Sequence, residues 1–278
     1  MYLRPHAKIN LGLFIKGKRP DGYHLLETVL YPLKNFSDEL WLEPMPGVGA
    51  CTLALGGIEL DGAAADNLCV RAYHLLRARF PDLPSVHIRL TKHIPAGAGL
   101  GGGSSDAAAT LRGLKALFSL NISDEELATL AGRLGADVPF FIYDKPLLAT
   151  GTGIELHAID MELPYRIELN TPPLHSSTVA AYKALDYRTC DPQRDLRKVL
   201  DLPVTSWPEY LHNDLETPVF HLYPQLAEIK QSLYDRGAVY AAMSGSGSAV
   251  FGLFESGDDQ TGDDQRPDER LPQRGLPV

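Results

Sequence analysis

Residues 95–105 read Pro-Ala-Gly-Ala-Gly-Leu-Gly-Gly-Gly-Ser-Ser, with glycine at five of the seven positions 97–103. Glycine admits positive φ and lets backbone N–H groups close on a ligand with no Cβ in the way. Ser104, Ser105 and Asp106 are capping types, and residues 107–114 form a helix-prone run behind them. A glycine loop opening into a helix offers clustered N–H groups and a positive helix end to an anion, most naturally phosphate. No lysine follows the glycines, so this is not the GxxxxGK[ST] loop. Residues 97–102 do trace the GxGxxG of dinucleotide binding. Pro95 breaks the strand which that motif should close, and the acid at the right distance, Asp124, lies in the helix-start signal Ile122-Ser-Asp-Glu-Glu126. A purely structural turn is the third alternative, set against the folding entropy of so many glycines.

Other residues able to do chemistry are scattered, and each has a plainer reading. Lys8 and Asn10 share one face of a strand-like stretch over residues 7–16, where a lysine also commonly guards a sheet edge. Tyr23 and His24 open the next extended run, a place where a tyrosine is usually packing. Asp137, in Leu134-Gly-Ala-Asp-Val-Pro139, falls between a helix end and an expected strand over Phe140-Phe-Ile-Tyr143, which is a turn position unless the carboxylate has a task. Gly245, Ser246 and Gly247 read as a tight hairpin between two strands. Thr150-Gly-Thr-Gly153 is a further small-residue turn.

Five ordered stretches carry a family resemblance: Ala7-Lys-Ile-Asn-Leu11, Asp21-Gly-Tyr-His24, the glycine loop, Leu134-Gly-Ala-Asp-Val-Pro139 and Ser244-Gly-Ser-Gly247. From about residue 4 to residue 254 the chain resembles the GHMP small-molecule kinases, the family of galactokinase and of homoserine and mevalonate kinases. The resemblance implies ATP and Mg²⁺ as cofactors and assigns ATP contacts to Pro95, Ala96, Gly97, Ala98, Gly99, Leu100, Gly101, Gly102, Gly103, Ser104 and Ser105, with Asn67 and Lys92 framing the adenine and Gly245, Ser246 and Gly247 beside the phosphates. It makes Asp137 the catalytic carboxylate and Lys8 its partner, and places Asn10 on the acceptor. Tyr23, His24 and Tyr182 resemble the branch that phosphorylates a cytidine-diphosphate-linked polyol in isoprenoid-precursor biosynthesis, with the two tyrosines stacked on the base and the histidine at its edge. A homoserine or mevalonate type of kinase, or a nucleotide-binding relative without turnover, are the rivals. Ser105, at the helix start, is the candidate metal ligand.

The fold so implied is α+β in two lobes with the nucleotide between them. Residues 1–158 form an ATP-binding lobe of the S5 domain 2-like type, with helices on one face of a mixed sheet, and residues 159–254 form a ferredoxin-like lobe. The periodicity agrees in outline. It predicts a hairpin over residues 7–34, two strands around the turn at residues 44–47, a helix over 67–80, a strand over 86–90, the loop helix, a capped helix from Ser123, a strand over 165–169, helices over 177–185 and 224–236, and a strand, glycine loop and strand over 240–254. The family follows this last strand with a helix and a final strand. Neither is visible after Phe254, where residues 255–278 carry seven acids and three basic residues and are expected to be a disordered acidic tail.

The 278 residues are 44% hydrophobic and 22% charged, a globular composition. A net charge of −9 argues against nucleic acid or an anionic membrane as partner. Three cysteines, 51, 69 and 190, without CxxC spacing, fit neither a disulfide framework nor a zinc site and are expected to be reduced, buried thiols. No apolar run approaches membrane-spanning length and no leader-like segment opens the chain, so the expected location is the cytoplasm, the partner a small molecule, and the state a monomer or homodimer.

Overall fold

The structure, a computed structural model, describes residues 1–60 and 62–256. The expected disordered tail lies outside the described residues from residue 257 onward.

The chain opens with β1 (Tyr2–Leu3), β2 (His6–Lys18), β3 (His24–Ser37), β4 (Glu39–Val48), β5 (Cys51–Gly57), α1 (Leu68–Arg79) and β6 (Pro84–Lys92). After the glycine loop come α2 (Gly102–Leu117), α3 (Asp124–Ala131), α4 (Val138–Tyr143), β7 (Leu147–Thr150) and β8 (Glu155–Ala158). The remainder holds β9 (Tyr165–Asn170), α5 (Thr178–Lys183), α6 (Leu196–Leu200), α7 (Trp207–Tyr210), α8 (Glu216–Leu222), α9 (Gln225–Asp235), β10 (Tyr240–Met243) and β11 (Val250–Glu255). Among the described residues these strands form three sheets, in the orders β1-β4-β6-β5, β2-β3-β7-β8 and β10-β11-β9. The first is mixed, since β4 runs antiparallel to β6 and β5 parallel to it. The third has three strands among the described residues, with β9 pairing to β11. No helix among the described residues is long and apolar enough to cross a membrane.

Four local expectations change. The prolines and glycine at 44–47 do not turn the chain: β4 runs through them with a register irregularity and reverses at Gly49, and β5 pairs with β6 instead of folding back on β4. Residues 140–143 are helical, in α4, because Pro139 sits in the first turn, where a missing N–H costs nothing. The loop helix starts earlier than its serines suggest: Gly101, at φ +70°, is the N-cap, so Ser104, Ser105 and Asp106 lie inside the first turns. Of the cysteines only Cys69 is buried; Cys51 and Cys190 are partly exposed.

The largest difference concerns β2. It is buried continuously from Ala7 to Ile15, so both its faces are covered and Lys8 and Asn10 are interior residues. Although β2 ends its sheet, its free edge is occupied. Lys8 N donates to Leu100 O of the glycine loop (2.9 Å), Leu13 N to His212 O (2.9 Å), and Asp214 N to Leu13 O (2.9 Å). One apolar cluster packs α1–α4 on the first sheet, around Leu40, Ile88 and Leu111. A second joins Ile9, Leu11 and Phe14 of β2 to Trp207, Tyr240 and Phe251, so β2 is the seam between the expected lobes. The third lies under α5, α8 and α9.

Candidate active site

The glycine loop is anchored by its alternate residues. Ala98 and Leu100 are buried, while Gly97 is exposed and Gly99 and Gly101 are half-buried. These three glycines line a cavity of about 330 Å³, together with Lys8, Asn10, Asp137, Tyr182, Gly245 and Ser246. Pro95, Ala96 and Gly103 line a second cavity, of about 670 Å³, with Asn67 and Lys92. The loop thus divides two spaces: one bordered by both glycine turns and the Lys8–Asp137 pair, the other by Asn67 at the start of α1.

The two glycine turns touch. Ser244 Oγ donates to Gly99 O (2.8 Å), Asn10 N donates to Ser244 Oγ (3.2 Å), and Ala249 N donates to Ala98 O (3.0 Å). Asn213 steadies the second turn by donating to the carbonyls of Met243 (2.9 Å) and Gly245 (2.8 Å). A Cβ at Gly99 would stand 2.1 Å from Ser244 O, so only glycine permits this approach. Gly247 is packed beneath the turn against Met243. Of the loop serines, Ser104 turns toward Gly135, just before Asp137.

Lys8 Nζ lies 3.6 Å from Asp137 Oδ2 and donates to Asn10 Oδ1 (2.6 Å). Asn10 in turn donates to Thr28 Oγ1 (2.9 Å). Burial pushes the Lys8 ammonium below its usual pKa, and the attraction of Asp137 opposes this. Asp137 is the N-cap of α4, and its side chain, about a third exposed, makes no capping bond and faces Lys8. Tyr182 lies nearby: its phenol is pushed up to about 12, by burial first and then by the Asp137 charge. Thr152 and Gly153 of the small-residue turn border the same cavity, as does Thr178, which was not singled out from the sequence.

Three sequence expectations meet a different geometry. Tyr23 is 67% exposed, and the ring lying against Tyr182 is that of His24 (4.5 Å between centroids, tilted by 35°), which also bonds the hydroxyl of Tyr187. Burial first, and the charge of Lys18 after it, lower the His24 pKa, which favours the neutral ring. Ser105 lines neither large cavity but a small one of about 160 Å³ with Arg4, His6 and Arg112, so it does not fit a metal bound to the nucleotide phosphates. Among the described residues no three of His, Cys, Asp and Glu converge on a metal position either.

The third is Lys92. It lines the larger cavity, yet its ammonium is held by Asp38 and by Asp106 (2.6 Å), so it does not offer the nucleotide a free charge. Asp38 also accepts from the amides of His93 (2.5 Å) and Ile94 (2.8 Å), while Asp106 Oδ1 is buried without a partner. One ammonium serves two carboxylates, and Asp106 is the less supported. Burial first, with the Asp38 charge adding to it and Lys92 resisting, pushes Asp106 up to about 7. Burial alone would lower the Lys92 pKa, but the two carboxylates hold it above its ordinary value. A carboxyl whose folded pKa is raised contributes stability that is complete below about pH 4 and is lost as pH rises through about 7. Stability to urea should therefore fall between pH 5 and 8 by on the order of 2–4 kcal/mol from this group, and Asp106→Asn should flatten that slope. An unchanged slope in the variant would locate the effect elsewhere.

The lobed fold, the paired glycine turns and the facing lysine and carboxylate describe a small-molecule kinase site. Residues 67–145 match the family model of the GHMP kinases N terminal domain and residues 204–262 that of the GHMP kinases C terminal domain. The chain belongs to the GHMP kinases. It is 46% identical over 252 residues to the 4-diphosphocytidyl-2-C-methyl-D-erythritol kinase of Bacteroides fragilis, with 90% of each chain covered. Against the enzyme of the same name from Porphyromonas gingivalis it is 45% identical over 263 residues, 91% of this chain and 92% of the relative. A crystal structure of 4-(cytidine 5'-diphospho)-2C-methyl-D-erythritol kinase is similar at TM-score 0.78 and 35% identity, covering 91% of this chain and 90% of that one. A mevalonate kinase structure, at TM-score 0.65 and 14% identity over 92% of this chain and 91% of that one, shares the fold.

Proposed function

We propose that this chain is an ATP-dependent kinase that phosphorylates the 2-hydroxyl of 4-diphosphocytidyl-2-C-methyl-D-erythritol. The observation that carries the reading is the Lys8–Asp137 pair, 3.6 Å apart, in the cavity bordered by both glycine turns of a chain so similar to kinases of that name. Residues 1–158 serve as the nucleotide lobe and residues 159–254 as the second lobe.

The adenosine occupies the larger cavity beside Asn67, and the phosphates cross the glycine loop toward the smaller one, held by loop amides and the N-terminus of α2. Asp137 accepts the proton of the acceptor hydroxyl as its oxygen bonds to the γ-phosphorus. The bond from that phosphorus to the β–γ bridging oxygen breaks, and ADP leaves. Lys8 orients Asp137 through their contact and Asn10 holds Lys8. Mg²⁺ bound to the ATP phosphates would supply charge neutralisation there, and none of the described residues is assigned to hold it. Alignment and charge supply most of what phosphoryl transfer requires, so few side chains suffice. Tyr182 and His24 present the aromatic surface that a cytosine needs and an aliphatic alcohol does not.

The test is ADP release from Mg–ATP with the cytidine compound, homoserine or mevalonate as acceptor. Turnover with the cytidine compound alone is expected. Turnover with homoserine or mevalonate instead, or nucleotide binding without turnover on any of the three, would overturn the substrate assignment or the kinase reading respectively.

A further inference from the structure

Asp137 and Asp144 bracket α4, one as its N-cap and the other, at φ +52°, as its C-cap. Both carboxylates reach back to the first residues of β2. Lys8 meets Asp137 at 3.6 Å, and His6 Nε2 meets Asp144 Oδ1 at 2.7 Å. The other ring nitrogen, His6 Nδ1, lies 2.8 Å from Ala7 O, so both nitrogens face acceptors. Burial alone would raise the Asp144 pKa, but the His6 hydrogen bond, with the charges of His6, Lys34 and Arg112, holds its carboxyl below the ordinary value. Arg112 of α2 reaches Asp144 Oδ2 (3.5 Å) and Phe141 O (3.4 Å), and Lys34 of β3 lies 3.7 Å away. The His6 ring also leans on Phe141 (5.6 Å between centroids).

A helix of six residues is too short to hold its own position, and apolar packing fixes depth better than it fixes sliding along the helix axis. The directional ties must set where its front end, Asp137, stands. We propose that His6 and Asp144 are positioning residues for the phosphoryl transfer described above: a hydrogen-bonded clip at the back of α4 that sets Asp137 at working distance from Lys8. This rests on the reading of Asp137 as proton acceptor. A misplacement of about 1 Å at a reacting group costs up to ~10²-fold in rate, so the clip matters although it touches no substrate.

His6→Ala and Asp144→Ala should each lower kcat about tenfold with KM for ATP within about twofold, and the double variant should be no slower than either single one. Asp144→Asn should restore most of the rate, because a neutral His6 can donate from Nδ1 to Ala7 O and accept at Nε2 from the new amide. In an Asp137→Asn background, His6→Ala should change the residual rate little. A loss confined to the melting temperature, with kcat unmoved where circular dichroism shows a folded protein, would overturn the clip. A crystal structure of His6→Ala decides independently of turnover. Withdrawal of Asp137 from the 3.6 Å contact with Lys8 supports the proposal even if the unaltered chain phosphorylates none of the acceptors, and an unchanged contact sinks it.

Discussion

Asp137→Asn should lower kcat by ~10²–10⁴-fold while KM for ATP stays within a few-fold. The amide has the shape of the carboxylate but cannot take the acceptor's proton, and the cavity proposed for the nucleotide lies across the glycine loop from it. Little stability should be lost, since the Asp137 side chain is about a third exposed and caps nothing. Lys8 feels the change too. Burial already lowers its pKa and only Asp137 opposes that, so without the carboxylate the lysine should release its proton at a still lower pH. Steady-state kinetics on the purified variant, with a thermal melt beside them, check both parts. Turnover close to that of the unaltered chain would remove Asp137 from the chemistry.

Gly99→Ala should have the second large effect, this time on folding and nucleotide affinity together. Its Cβ would stand 2.1 Å from Ser244 O and 3.3 Å from Gly247 N, at a backbone φ of +76°. The left-handed conformation alone costs an alanine ~1 kcal/mol, and the clash forces the two glycine turns apart. A loss of ~3–5 kcal/mol in stability, with ATP binding weakened at least about tenfold in whatever remains folded, is the expected outcome. Gly132→Ala is the control: its backbone is right-handed, its Cβ would meet nothing nearer than Thr129 O at 3.5 Å, and it lines neither cavity. Calorimetric titration with ATP and melting curves for the two variants separate the cases. A stable Gly99→Ala protein that binds ATP normally would show that contact between the turns is not what shapes the phosphate site.

Composition and local pattern carried much of this site. Glycines alternating with buried Ala98 and Leu100 can only be a close-approach loop, because no other residue tolerates those φ values and contacts. The capping box at Ser123 and Glu126, and the alternation of β6, are local effects and appear where local chemistry puts them. The errors occur where tertiary context outweighs propensity. Residues 140–143 look like a strand by composition but fold as α4, whose apolar side chains pack into the first core cluster. The ring against Tyr182 is that of His24, and the neighbouring Tyr23 is exposed.

What the sequence by itself determined was the close-approach glycine loop, the order of most elements and the kinase family, since each depends on residues close together or on motifs kept in register along the chain. The tertiary structure alone decided that Lys8 is buried, that β2 gives its free edge to the glycine loop and to residues 212–214, and that Lys92 is tied to Asp38 and Asp106. It alone joined His6 to Asp144 across 138 positions. Charge pairing at such separations leaves no period or spacing in the chain, because it depends on which surfaces the packed core brings within a few ångströms of each other.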